Sequence, residues 1–302
     1  MKIIYGLEKV KKSSNAVVVL GVFDGVHLAH RRILKEAVRK ARAIKQRSIL
    51  VTFWPHPQKE ESLYSLEHRL KLISEFGIDE CIVIKFNHKF SKMLPNDFVE
   101  KILLGKIGVK YIYVGKNFTF GRGGKGNFKL LKSLSRIHHF KLRIFDVIKI
   151  NHLPISSTYI RKLIKRGDLR HAQNLLVRPV SILGTVIKGA SVARRLGFPT
   201  ANIDPHHEVL PPPGVYAVLI IYKKKKFFGV CSIGHKPTFN KKDKIQHIEV
   251  NIFNFDKNIY GAYLEIQFIK LLRKQEKFAS PVVLAAQIKN DIISAKKMIS
   301  HH

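Results

Sequence analysis

Residues 17–30, VVVLGVFDGVHLAH, decide the fold of the first half of this chain. An unbroken apolar run ends at Gly21, and a Phe-Asp-Gly turn then leads into a helical pattern with His27 and His30 at its start. The apolar run predicts a strand that is buried on both faces. Because a helix N-terminus offers free N–H groups and a positive dipole end, the segment predicts a phosphate-binding strand–turn–helix.

Strand and helix patterns alternate from this segment to residue 178. The strand patterns cover residues 16–21, 48–53, 80–86, 111–115 and 141–147, and the helical patterns cover 30–45, 66–76, 95–105, 157–166 and 168–177. This alternation predicts βαβ units and a parallel sheet covered on both faces. Ligands bind beyond the carboxyl ends of such strands, so the loops 21–30, 54–57, 115–126 and 155–161 are expected to converge on one crevice.

The sequence pattern changes after residue 178. Short alternating runs follow at residues 181–189, 214–222, 227–234, 247–255 and 262–272, separated by Gly, Pro, Asn and Lys turns. They predict a small antiparallel barrel or sandwich, which a helix over 281–299 closes. The predicted fold class is therefore α/β plus β, with one domain over 1–178 and a second over 179–302.

Composition narrows the class of protein. No apolar run is long enough to span a bilayer, and the N-terminus shows no signal peptide, so no membrane partner is expected. Cys81 and Cys231 lie far apart in apolar runs and predict reduced core residues in a cytoplasmic protein. Nothing in the sequence indicates an oligomer.

The formal net charge of +34 raises one alternative from another class, a basic nucleic-acid-binding protein. The basic residues are spread along the chain and form no clustered arm. No specific nucleic-acid partner is therefore predicted, and a general enrichment in lysine accounts for the charge.

The histidine pair has a chemical rationale. Gly25 lets the turn form, and residues three apart in a first helical turn share a face. Paired imidazoles can bind phosphate oxygens and stabilise charge that develops at phosphorus. No Walker A sequence is present, and no further His or Glu lies beside the pair, so neither a P-loop kinase nor a zinc site is predicted. Two surface histidines at a helix start are the alternative.

A second phosphate-binding candidate is ISSTYIR at residues 155–161. Its hydroxyls can cap a helix, and Arg161 lies one turn further on, where a bidentate contact to phosphate is within reach. An ordinary capped surface helix is the alternative. The glycine-rich loop 115–126 has the composition of a phosphate loop but the wrong spacing.

The second half has its own candidates. Thr200 and Asn202 are two residues apart, so they share a face in an extended segment, and their oxygens suit Mg²⁺ held together with nucleotide phosphates. A turn is the alternative. Glu249 is an acid within an apolar strand pattern, and Asn251 shares its face. It is either a solvent-facing residue or the general base for a hydroxyl.

The first half carries FDGVHxxH, FxPHP, GxNFxFG and ISSTxIR in that order. It resembles the FMN adenylyltransferase module of the bacterial bifunctional riboflavin kinase/FMN adenylyltransferase (FAD synthetase) family. The second half carries GTVxxG, LGFPTAN, PPGVYAV, IGxxPTF, IEVNIF and FDxxxYG, and resembles the riboflavin kinase module. The resemblance implies a Rossmann-like nucleotidyltransferase domain and a small kinase barrel. It also implies phosphorylation of riboflavin to FMN and adenylylation of FMN to FAD with release of pyrophosphate, both with ATP and Mg²⁺.

The resemblance also implies roles for individual residues. His27 and His30 are the implied catalytic residues of adenylylation, and Glu249 is the implied base of the kinase. The implied nucleotide-binding residues are Gly21, Phe23, Asp24, Gly25, His27, His30, Ser156, Thr158, Arg161, Gly189 and Arg195. The implied flavin-binding residues are Asn117, Phe118 and Arg273, and the implied metal ligands are Thr200 and Asn202.

Two positions depart from the family pattern. Ala29 and Ala193 stand where the family favours glycine, and both lie in segments implied to approach ATP. A riboflavin kinase with weak or lost adenylyltransferase activity is therefore a second alternative, this one within the enzyme class.

Overall fold

The computed structural model describes residues 1–12, 15–57, 61–150, 152–189, 196–235 and 246–299. The chain forms two compact units, Met1–Tyr159 and Ile160–His302. The domain boundary at 178/179 follows the change in sequence pattern and stays a prediction. In the described ranges, every helix is too short or too polar to cross a bilayer.

The first unit is built on a six-stranded sheet with the order β1-β4-β3-β2-β5-β6. Its strands are β1 (Lys2–Tyr5), β2 (Ala16–Leu20), β3 (Ser48–Trp54), β4 (Glu80–Lys85), β5 (Val109–Gly115) and β6 (Lys141–Phe145). All neighbouring strands are parallel, which confirms the predicted sheet. The chain order reverses between β2 and β5, and open α/β sheets bind ligands at such a switch point. A small hairpin of β7 (Lys149–Ile150) and β8 (Leu153–Pro154) follows.

Strand β2 is buried along its whole length, as its unbroken apolar run predicted. Strand β1 was not predicted. It has only four residues and lies at the edge of the sheet, and Ile4 is its single buried side chain. So short a segment carries no periodicity, and its pairing with β4 is a tertiary contact that the local sequence does not specify.

Helices alternate with the strands of this sheet along the chain and lead into the second unit. They are α1 (Leu28–Ala43), α2 (Leu66–Ser74), α3 (His88–Ser91), α4 (Pro95–Asp97, continued as a π-helix over Phe98–Ile107), α5 (Phe128–Ile137), α6 (Ser157–Lys165) and α7 (Leu169–Leu176). The predicted end of α4 at Gly105 is wrong. The helix continues to Ile107 and ends at Gly108, whose φ of +76° suits a glycine after a helix.

The second unit is a closed antiparallel barrel with the order β10-β13-β12-β11-β14-β9. Its strands are β9 (Ser181–Ile187), β10 (Ala201–Asp204), β11 (Gly214–Tyr222), β12 (Lys225–His235), β13 (Gln246–Ile252) and β14 (Tyr263–Lys274). The barrel alternative is confirmed and the sandwich alternative is wrong. The unpredicted strand β10 is four residues long and follows a Gly/Pro-containing segment. The closing helix α8 (Pro281–Ile299) is confirmed, and its Ala295 packs against the barrel.

Candidate functional site

The turn after β2 has a strained backbone. Phe23, Gly25 and Val26 have φ values of +58°, +81° and +42°. For a bulky or β-branched residue this conformation costs on the order of 1–3 kcal/mol and persists only where the surroundings enforce it. Gly21 leaves room for this turn, since a Cβ there would lie 2.7 Å from the Phe23 ring. Strain of this kind is typical of a functional turn.

Asp24 fixes the turn to two other segments. Its carboxylate accepts hydrogen bonds from the backbone N–H groups of Leu63 (3.0 Å) and Tyr64 (3.2 Å). Its backbone carbonyl accepts a hydrogen bond of 2.8 Å from the Ser157 hydroxyl. The Asp24 carboxylate therefore holds the turn against the backbone of residues 63 and 64. The Ser157 contact brings that residue, within the first unit, to the turn, and the convergence of the predicted loops stays a prediction.

His27 and His30 lie together at the N-terminus of α1. Their rings stack with centroids 3.7 Å apart, and His30 lies 4.7 Å from the Phe23 ring. His27 is the residue that precedes the helix, and no side chain caps it. Within the described residues, the Nδ1 atoms of both histidines are buried without a hydrogen-bond partner. The pair therefore has unused polar capacity beside free helix-terminal N–H groups.

Both histidines are neutral at pH 7. Burial lowers the pKa of His27 to about 4. Burial, and then the neighbouring His27 and Arg69, hold the pKa of His30 well below its usual range. A neutral imidazole offers one N–H donor and one acceptor, so the pair can hydrogen-bond a phosphate without an added positive charge.

We expect acidification to destabilise the first unit through His27. The unfolded histidine titrates near pH ~6.5, so between about pH 4 and 6.5 the unfolded state binds more protons than the folded state. The free energy of unfolding therefore decreases as the pH is lowered through this range. The lowered pKa corresponds to about 3 kcal/mol. Urea unfolding at about pH 7 and pH 5, followed by Trp54 fluorescence, should show a smaller pH effect in His27→Gln than in the unchanged protein.

Trp54 is the single tryptophan of the chain and lies in the first unit, so the signal is specific to that unit. Burial raises the pKa of Asp24, which acts in the opposite direction, and the comparison of the two proteins cancels that contribution. An equal pH effect in both proteins would contradict the assignment.

Arg69 is a buried cation that the sequence did not reveal. It is fully buried on α2, and its Nη2 donates a 3.2 Å hydrogen bond to the carbonyl of Phe53. The charge of Asp24 opposes the lowering of its pKa by burial. Its Nε and Nη1 have no hydrogen-bond partner in the described part of the chain. In sequence it is one more basic residue of an amphipathic helix.

An aromatic cluster follows the glycine-rich loop. Asn117 is exposed, and the Phe118 ring stacks on Phe120 at 5.8 Å, which in turn lies 5.6 Å from Phe98. The cluster continues through Phe53, Phe86 and Phe90. Phe53, Phe98 and Phe120 are buried in the core, and the predicted flavin-side residue Phe118 is a partly buried ring at the edge of this cluster.

A cavity of about 980 Å³ lies at the carboxyl ends of β1, β3 and β4. Its apolar lining includes Trp54, Pro55, Ile84, Phe90 and Met93. Five lysines also line it, namely Lys9, Lys85, Lys89, Lys92 and Lys101. Sequence analysis missed this cavity because separate segments of the chain contribute its walls. Glu8 and Asp97 also line it, and Asp97 pairs with Lys101, so the lining keeps an excess of positive charge that suits a flat apolar ligand with negative charge.

The 155–161 segment begins α6 as predicted. The hydroxyl oxygen of Ser156 accepts a 3.2 Å hydrogen bond from the Tyr159 N–H and so caps the helix. Thr158 is exposed, and Arg161 lies one turn into α6. The nucleotide contacts of these three residues stay predictions.

In the barrel, Asn202 of β10 lies opposite Glu249 of β13. The Thr200 hydroxyl donates to Oε2 of Glu249 over 3.4 Å. Asn202 is 4% exposed, and its Oδ1 has no hydrogen-bond partner within the described residues. A buried amide oxygen without a donor fits a cation ligand, so these residues suit a divalent metal. The absence of a side chain at Gly189 lets the backbone approach Asn202, because a Cβ there would overlap the Asn202 amide unless that side chain moved.

Two neighbours of Glu249 were not predicted as functional. The His247 Nδ1 lies 3.4 Å from the other carboxylate oxygen of Glu249, Oε1. The Asn251 amide donates a 2.8 Å hydrogen bond to the carbonyl of Pro199. His247 and Asn251 are each two residues from Glu249 along β13, so their side chains lie on the same face of the strand. This spacing is visible in the sequence and could have identified both residues as neighbours of Glu249.

Arg273, a predicted flavin residue, is engaged within the protein. Its Nε and Nη2 each lie 2.9 Å from a carboxylate oxygen of Asp291 on α8, and its Nη1 donates to the Lys274 carbonyl. These contacts join β14 to the closing helix, and a flavin role for Arg273 stays a prediction. Arg195 and Ala193 lie outside the described residues.

The sequence matches the FAD synthetase family over residues 9–159 and the riboflavin kinase family over 176–299. A bifunctional riboflavin kinase/FMN adenylyltransferase from Buchnera aphidicola subsp. Schizaphis graminum is 37% identical, with 98% of each chain covered. The Bacillus subtilis protein of that name is 33% identical over 96% of this chain and 95% of its own. A solved Streptococcus pneumoniae protein, described as a macrolide-efflux protein, has a TM-score of 0.82 at 28% identity, covering 96% and 97% of the two chains.

Both modules occur in this chain, in the order that the motifs predicted. The matches extend over nearly the whole chain and lend no support to a nucleic-acid-binding protein or to a riboflavin kinase with weak or lost adenylyltransferase activity. The chain therefore belongs to the bifunctional riboflavin kinase/FMN adenylyltransferase family, with an FAD synthetase module before a riboflavin kinase module.

Proposed function

We propose that the second unit transfers the γ-phosphoryl group of ATP to riboflavin, and that the first unit transfers AMP from ATP to the resulting FMN. The observation that carries the second step is the stacked pair His27 and His30 at the start of α1, whose buried Nδ1 atoms lack hydrogen-bond partners among the described residues. The contacts of Glu249 with Thr200, opposite Asn202, support the first step.

In the first unit, the N-terminal N–H groups of α1 and the neutral His27 and His30 bind the phosphates of ATP. An oxygen of the FMN phosphate attacks the α-phosphorus, and pyrophosphate leaves. The hydrogen bonds from the imidazoles strengthen as charge develops on the transferred group, so they lower the barrier. Positioning and charge stabilisation suffice for this reaction, and no covalent enzyme intermediate is needed.

We place the flavin of FMN at the carboxyl ends of β1, β3 and β4. The aromatic cluster that ends at Phe118 can stack on a flat ring. The cavity beside it is large enough for such a ring, and its lysines favour an anionic ligand. Asn117 is exposed on the adjoining loop, where its amide can bind a polar edge of the ring.

In the barrel, Glu249 accepts the proton of the ribityl 5′-hydroxyl as that oxygen attacks the γ-phosphorus of ATP, and ADP leaves. ATP-dependent enzymes of these families generally use a divalent metal, and we propose Mg²⁺. Thr200 and Asn202 would hold the ion, which neutralises charge on the phosphate oxygens when it is bound. Gly189 allows the backbone after β9 to approach Asn202, and through it the nucleotide. We also propose a cytoplasmic location, which the buried free thiols of Cys81 and Cys231 support.

FAD formation tests the adenylyltransferase activity directly. We expect the protein to convert FMN to FAD with ATP and Mg²⁺, as followed by chromatography. Ala29 is in the first turn of α1, and it is absent from the residues with positive φ, so its backbone does not require glycine. Ala29→Gly should therefore change the rate by no more than about threefold. Absence of FAD above background would contradict the two-activity assignment.

A further inference from the structure

We propose that His247 is a positioning residue for the kinase reaction, holding the carboxylate of Glu249 in the orientation that a general base needs. The inference rests on the proposed role of Glu249. His247 contacts the Glu249 carboxylate, so it would set the orientation of the general base, while Glu249 itself remains the base.

The carboxylate of Glu249 is held from two sides. Thr200 donates to Oε2, and the imidazole of His247 lies against Oε1, each over 3.4 Å. The side chains of His247 and Glu249 are 25% and 26% exposed, so the contact is mostly shielded from solvent. Strand β13 fixes the partnership, because residues two apart on a strand project from the same face.

Among the described residues on that face of β13, no other side chain contacts Oε1 of Glu249. Asn251 also projects there, but its amide is committed to the carbonyl of Pro199. Across the sheet, Ser232 of β12 and Asn202 of β10 lie opposite Glu249 without a hydrogen bond to its carboxylate. The imidazole is therefore the contact that restrains Oε1.

Restraint matters because the last torsion of a glutamate is soft. Its carboxylate has a broad, roughly two-fold rotational profile, so a contact to one oxygen leaves it free to turn. A general base must present an oxygen within hydrogen-bond reach of the hydroxyl that it deprotonates. Loss of His247 thus reduces the fraction of bound substrate that meets a correctly oriented base, and it lowers kcat rather than substrate affinity.

Two substitutions at His247 test this role. His247→Leu keeps the volume and removes the polar contact, so we expect kcat for FMN formation to fall by about tenfold, part of the ~10²–10⁴ that a positioned base contributes. The KM values for riboflavin and ATP should stay within about twofold. His247→Asn places an amide near the position of Nδ1, so it should stay within about threefold of the unchanged kcat. FAD formation from added FMN is the internal control.

Glu249→Gln separates this inference from the proposed function. If Glu249→Gln keeps full kinase activity, the proposed base is wrong and the role of His247 falls with it. If Glu249→Gln is inactive while His247→Leu keeps the unchanged kcat, only the positioning role is overturned. An equal loss in His247→Leu and His247→Asn also overturns it. We expect His247→Leu to add no further loss in the Glu249→Gln background, because the orientation of an absent base has no effect.

Discussion

His30→Ala is expected to lower the rate of FAD formation from FMN by at least about a hundredfold, while FMN formation from riboflavin stays within about twofold. His30 stacks on His27 at the N-terminus of α1, and its buried Nδ1 has no hydrogen-bond partner in the part of the chain that the structure describes. Its loss removes a donor to the phosphates and the ring that fixes His27. The two reactions are measured separately, from FMN and from riboflavin, with product separation by chromatography.

His138→Ala is the matched control for this substitution. His138 follows α5 and precedes β6, so it lies toward the amino-terminal ends of the strands, opposite the proposed site. It should leave both rates within about twofold. A folded His30→Ala protein that loses both activities, or keeps full FAD formation, would contradict the assignment of separate sites.

Glu249→Ala is expected to have the reverse effect. FMN formation should fall by about 10²–10⁴, the contribution of a positioned base, while FAD formation from added FMN continues at the unchanged rate.

Asn202→Ala should suppress FMN formation as well, and a higher Mg²⁺ concentration should restore part of it. The reason is that its buried Oδ1 has no partner within the described residues and suits a cation.

A magnesium titration at saturating riboflavin and ATP distinguishes these two barrel variants. The Glu249→Ala rate should not respond to added Mg²⁺, because the missing group is the base. If both variants respond equally, the roles of the two residues are not separate. If either variant stops both reactions in a folded protein, the division of the reactions between the two units is wrong.

The sequence predicted those strands, turns and helices whose pattern of apolar and turn residues is visible within one short segment. The β2–turn–α1 segment combines an apolar run, a glycine turn and a helical pattern, and the structure places His27 and His30 together there. The barrel and helix α8 were also predictable, because five of the six strands are short apolar runs separated by turn residues. Strands β1 and β10 were not, since four residues are too few to define a period.

The parts of the site that the sequence missed depend on tertiary contacts. In the sequence, Arg69 resembles a basic residue on the exposed face of a helix, yet it is fully buried and donates a hydrogen bond to the carbonyl of Phe53. His247 becomes a candidate positioning residue only because the fold places its imidazole against Oε1 of Glu249. The nucleotide role of Asp24 stays a prediction, and the sequence did not reveal that its carboxylate accepts hydrogen bonds from the backbone of residues 63 and 64. Burial and partner choice are properties of the folded chain that spacing alone does not encode.

The most direct test of the account is a product time course from riboflavin, ATP and Mg²⁺ with the purified full-length chain. The account predicts that FMN appears first, that FAD follows after a lag, and that FAD becomes the end product while ATP lasts. Riboflavin that stays unconverted, or FMN that accumulates to completion without FAD, would contradict the claim that one chain carries both reactions.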